Sequence, residues 1–250
     1  MSESFFPQLF QTTNAVTPYL HGELGNVNQG EIHTDNDINP IIQDLYQQLS
    51  EAYPEAGKAY WLTRTWDLLC WQPVYVALIS IYHFRSLPNL YAMAQSVKPC
   101  FVTGYRFEDE SLVQGDYKTL ISAAGAQIRS LFDYYQIQMS EWTRIRPGFT
   151  HQLISDGILA GLMRLQQHFP QMTNAMIREH AVLWLEALDL DTENVHSLYE
   201  QSVEHPLKLV RKSCCLVYKC EGRELCENCP RLAKNKKLIA GKVMKINLVN

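Results

Sequence analysis

The sequence predicts a mainly α-helical protein of the α+β class: a multi-helix body with a short β-hairpin, followed by a small C-terminal module rich in cysteine. Three observations carry that expectation. Apolar residues recur at helical spacing through most of residues 41–188, one stretch, VKPCFVTGYRF (97–107), has the β-branched and aromatic residues around a glycine that suit a hairpin, and five of the seven cysteines fall between positions 214 and 229. A chain of 250 residues, 46% of them hydrophobic, can bury a sizeable core.

Residues 1–39 are rich in Asn, Thr, Gly and Gln with little periodicity, and read as an irregular arm with one short helix or strand. The helical body follows over 40–205. In residues 41–53, Ile41, Ile42, Leu45 and Leu49 share one stripe, and Pro54 helps end the helix. A second helix is expected over 55–70 and a third, buried one over 73–83, with Pro73 in its first turn. After the hairpin, Leu120, Ile121, Ala124, Ile128, Leu131, Phe132 and Tyr135 keep i, i+3, i+4 spacing through residues 117–138. Pro147-Gly148 interrupts the chain. Helices over 151–169 and 173–188 come next, with Thr173 as N-cap of the latter, and then a short helix near 195–202. In the tail, LKLVRKSCCLVYK looks extended and KVMKINLV alternates like a strand.

The net charge of −4 conceals an asymmetry. Residues 206–250 hold eleven Lys or Arg against three Glu, a net +8, so the rest of the chain carries −12. The tail is thus a basic module on an acidic body. No nucleic-acid-binding motif accompanies these charges, and no nucleic-acid partner is expected. No window approaches the roughly 18 uninterrupted apolar residues of a membrane span. No Lys or Arg precedes Lys58, so neither a secretory signal nor a transit peptide is expected, and a cytoplasmic location is. In a reducing compartment, clustered cysteines bind metal or do redox chemistry more often than they form disulfides.

Cys70 and Cys100 sit in the apolar contexts LLCW and PCF and read as buried small hydrophobes. The tail reads Cys-Cys-x10-Cys-x2-Cys, formed by Cys214, Cys215, Cys226 and Cys229, with Cys220 inside the gap. Thiolates at such spacing serve zinc, copper(I) or an iron–sulfur cluster, and a Cys-x2-Cys knuckle alone does not choose among them. The doublet is more discriminating. Neighbouring side chains on an extended strand point to opposite faces, so Cys214 and Cys215 reach one site only if the backbone kinks. A binuclear cluster spreads its four thiolates over two irons and tolerates such spacing.

The doublet, the ten-residue gap and the terminal knuckle, with RKSCCLVY before the gap and CENCP after it, resemble the cluster-binding motif of the FhuF-type ferric siderophore reductases. RTWDLLCWQPVY (64–75) looks like the Trp-rich segment of that family. The resemblance implies a [2Fe–2S] cluster in residues 206–250 ligated by Cys214, Cys215, Cys226 and Cys229, with Cys220 a spare thiol. It implies one-electron reduction of siderophore-bound iron(III), with hydroxamate siderophores the favoured substrates. No dinucleotide-binding or Walker A loop is present, so the electrons are expected from a separate donor. Arg64, Trp66, Trp71 and Tyr75, with Trp61 nearby, are candidates for a chelate platform, although the same aromatics would also fill a helical core. Lys212, Lys219, Arg223 and Arg231 would lower the cost of the cluster's negative charge. The alternative is a non-enzymatic interaction protein whose tail is stapled by structural zinc.

Overall fold

Helix α3 (Lys58–Phe84) runs through the middle of the protein because its apolar residues cover almost every face instead of one stripe. The computed structural model, which describes residues 4–169, 171–200 and 205–246, packs α1 (Phe5–Val16), α2 (Asn39–Ala52), α4 (Tyr117–Ser140) and α5 (Pro147–His168) around it. Helix α6 (Asn174–Ala187) lies against α4 and α5, and α7 (Ala233–Ile246) follows the cysteine segment. The mainly helical α+β class is therefore as expected. No helix among the described residues is long and apolar enough to cross a membrane.

Two expected helices are one. Pro73 lies inside α3 instead of opening a new helix. Proline lacks the N–H that would bond to the carbonyl four residues back, which leaves Leu69 O without its helical partner. Gln95 supplies the donor from outside the helix: its side-chain Nε2 reaches Leu69 O at 2.9 Å and the Tyr135 hydroxyl at 2.9 Å, while Gln72 Nε2 donates to Gln95 Oε1 at 3.1 Å. A buried amide cluster thus carries the helix past its proline.

Gln95 belongs to the expected hairpin, which begins earlier than the sequence suggested. Strands β3 (Ala94–Lys98) and β4 (Phe101–Phe107) pair antiparallel. The irregular arm contributes more order than expected, a twelve-residue α1 and a strand β1 (Gly22–Leu24) that pairs parallel with β4. Gly104 has φ +86°, and a Cβ there would come within 2.5 Å of His21, so glycine is required where the arm crosses. Cys100 is half-buried at the hairpin turn with φ 58°, not buried as expected, while Cys70 is buried.

Strands β2 (Ser86–Pro88) and β5 (Leu112–Gln114) form a second small ladder. The stripe over 117–138 is borne out, with all seven residues buried in α4, and Thr173 caps α6 by accepting the Met176 N–H. The short helix near 195–202 is instead a 3-10 turn, Thr192–Ser197, that runs into β6 (Leu198–Tyr199); residues 201 and 202 lie outside the described residues. The tail is less extended than LKLVRKSCCLVYK suggested. Only β7 (Lys208–Leu209) pairs, with β6, and Val217–Lys219 is a 3-10 turn. The expected C-terminal strand is also corrected, since residues 242–246 complete α7 and 247–250 lie outside the described residues.

Candidate metal centre and the cavity beside it

The cysteine segment is folded by short-range turns. Leu216 adopts a left-handed conformation, φ 60°, immediately after the doublet, and so supplies a backbone kink there. Across the gap, Cys229 N donates to Cys226 O at 3.0 Å and closes the Cys-x2-Cys knuckle. Asn235, in the first turn of α7 and buried, donates to Glu227 O at 2.8 Å and Cys229 O at 2.9 Å. The knuckle is therefore held from inside and from the helix that follows.

These turns gather four of the five thiols as two pairs. Cys214 Sγ lies 3.7 Å from Cys229 Sγ, and Cys215 Sγ lies 3.4 Å from Cys226 Sγ. A tetrahedral centre with metal–sulfur bonds near 2.3 Å sets its thiolates about 3.8 Å apart, so each pair has the spacing of two ligands on one metal. Among the described residues no three His, Cys, Asp or Glu side chains converge on a single ion. Two pairs suit a two-iron cluster better than a single zinc. Burial and the adjacent Cys215 thiol push Cys226 up to about 11, and burial, with Cys229 adding to it, raises Cys214. A metal held by these pairs would therefore displace protons.

Cys220 belongs to neither pair. It is buried in a small apolar cluster with Ala56 and Tyr60, packed by Tyr53, Trp61, Leu216 and Val217, where it anchors the cysteine loop to the start of α3. Nearby, Glu221 N donates to Glu55 Oε1 at 2.9 Å. The spare thiol has a packing role that the motif did not show.

Asp156 on α5 is the stronger anchor. It is 2% exposed, and its carboxylate accepts the N–H of Lys212 at 3.0 Å, the N–H of Ser213 at 2.8 Å and the Ser213 hydroxyl. Arg211 Nε lies 3.5 Å from the same carboxylate. The RKS preceding the doublet is thus wrapped around one buried acid. Sequence reading passed over Asp156, yet a lone Asp on the apolar LISDGILAGL helix was a signal for it. Of the basic residues expected near the cluster, Arg231 bonds the Tyr218 hydroxyl at 2.8 Å, and Lys212, Lys219 and Arg223 are exposed.

Arg211 also lines a cavity of about 270 Å³ between α3 and α5, and this is where the four candidate substrate residues meet. Arg64, Trp66, Trp71 and Tyr75 all border it, as do Asp67, Asp156, Arg164 and Asn228. Their exposure differs. Trp66 is 1% exposed and packs on Phe132, so it is first a core residue. Trp71 and Tyr75 are half-buried and stack edge-on at 5.9 Å, with Phe101 6.0 Å from Trp71 and Tyr19 beyond it at 5.3 Å. Arg64 lies over Phe101, and Arg164 lies over Tyr75 and bonds its hydroxyl. Trp61 is elsewhere, donating to Tyr53 O at 2.8 Å.

Asp67, on the α3 side of the cavity, is held up at about 6 by burial, with Asp156 adding to the rise and Arg211 and Arg64 opposing it. A carboxyl raised above its ordinary value keeps its proton in the native state where the unfolded chain has lost it. Asp67 therefore subtracts stability as pH climbs from about 4 to 6, and the loss persists above that range. Asp67→Asn is expected to raise the melting temperature at pH 7.5 and change it little at pH 4. Equal shifts at both pH values in thermal unfolding would contradict the assignment.

Comparison with known proteins converges on the same segment. Residues 211–231 match the family model of the FhuF 2Fe-2S C-terminal domain, in accord with the resemblance read from the cysteine spacing. The segment is an iron–sulfur domain and its cofactor is a [2Fe–2S] cluster. No solved structure matches the chain.

Proposed function

We propose that the protein is a cytoplasmic ferric siderophore reductase that reduces siderophore-bound iron(III) to iron(II) by one electron. The observation that carries this reading is the shared cavity: Arg64, Trp66, Trp71 and Tyr75 border the same space as Arg211 and Asn228 of the cysteine loop. Cys214, Cys215, Cys226 and Cys229 are the cluster ligands, residues 206–250 form the electron-carrying module, 40–205 the chelate-binding body and 1–39 its arm. When bound, the cluster supplies single electrons.

The chain's own residues do the rest. Trp71 and Tyr75 offer flat apolar surface to one side of a chelate, and Arg64 and Arg164 present guanidinium donors to its oxygen atoms. Asp156 and Asn235 hold the two halves of the cysteine segment in place, so that electron transfer needs little rearrangement. Hard oxygen donors bind iron(III) more tightly than iron(II), so one added electron loosens the chelate and releases the metal. Hydroxamate siderophores are the substrates favoured by the resemblance, and a separate carrier delivers the electrons.

Dithionite-reduced protein titrated anaerobically with ferric siderophores is expected to reoxidise with one equivalent of iron(II) formed per cluster, followed in the visible spectrum. A cluster that stays reduced with every ferric chelate would sink the proposal. Arg164→Ala is expected to raise the half-saturating chelate concentration about tenfold, the effect of losing about 1.4 kcal/mol of binding.

A further inference from the structure

We propose that the cysteine doublet is divided between the two irons, Cys214 with Cys229 holding one and Cys215 with Cys226 holding the other. This rests on the reading above that these four cysteines are the ligands, and goes beyond it by assigning each to an iron.

The pairing follows from geometry. If the doublet held one iron and the knuckle the other, the close sulfur contacts would be Cys214 with Cys215 and Cys226 with Cys229. The contacts present are the crossed ones, at 3.7 Å and 3.4 Å. Each doublet cysteine therefore faces a different member of the knuckle. Both halves of the segment thus contribute one ligand to each iron, and neither iron is bound by local sequence alone.

Proton NMR of the unmodified, dithionite-reduced holoprotein, with cysteine β-positions selectively labelled and assigned, tests the pairing. Ligands of iron(III) and of iron(II) in a reduced binuclear cluster show hyperfine shifts with opposite temperature dependence. The β-protons of Cys214 and Cys229 are expected to share one dependence on warming, and those of Cys215 and Cys226 the other. Matching behaviour of Cys214 and Cys215 would overturn the pairing. A hyperfine-shifted Cys220, or an unshifted member of the four, would instead overturn the ligand set beneath it.

Discussion

Serine at position 226 is expected to abolish the visible charge-transfer absorption of the protein, while serine at position 220 leaves it intact. Cys226 pairs with Cys215 at 3.4 Å, and on the proposed ligand assignment losing its thiolate would leave one iron with a single protein ligand. Cys220 packs against Ala56 and bonds the Tyr60 side chain instead, so its change trims a buried packing contact away from the two thiol pairs. Cys220→Ser should therefore cost about 1–2 kcal/mol of stability with iron content unchanged. Iron and sulfide analysis beside thermal unfolding separates the two effects. Iron lost from the Cys220 variant, or retained in full by the Cys226 variant, would mean that the four ligands are wrongly assigned.

Removing the Asp156 carboxylate is expected to be the most damaging change outside the cysteines. Asp156→Ala leaves Arg211 without its nearest ion-pair partner and strips the Lys212 and Ser213 N–H groups and the Ser213 hydroxyl of their acceptor at once. Breaking one partner out of a buried charge pair costs about 3–5 kcal/mol. Because the freed segment leads directly into Cys214 and Cys215, the loss should appear as faster cluster release as well as a lower melting temperature. Asp156→Asn keeps one acceptor oxygen and should fall between. Wild-type melting and wild-type iron retention in the alanine variant would show that α5 does not hold the doublet in place.

How much of this was legible beforehand differs from element to element. Helix α4 was readable because its seven apolar positions obey one period and all face the core. Pro73 misled because the partner that rescues its helix, Gln95, lies on β3 and is invisible to local patterning. The strand expected at the C-terminus rested on alternation over a few residues of KVMKINLV, too few to separate a period of 2 from one of 3.6, and residues 242–246 are helical. For the metal centre, the identities of the cysteines and their spacing pointed to a binuclear cluster, the cofactor named by the matching domain.

The sequence by itself determined the inventory: five thiols in one basic tail segment, four of them at a spacing compatible with two irons, behind a mainly helical body. Ligand type and spacing are covalent facts, and helical periodicity is nearly so. Only the tertiary structure decided which thiol faces which, why Cys220 stands apart, and that Asp156, Arg211 and Asn235 brace the segment. It also decided that the aromatic residues of α3 share one cavity with the cysteine loop. Those outcomes depend on contacts between residues far apart in the chain, such as Ser213 with Asp156, and no local pattern encodes the partner of a buried charge.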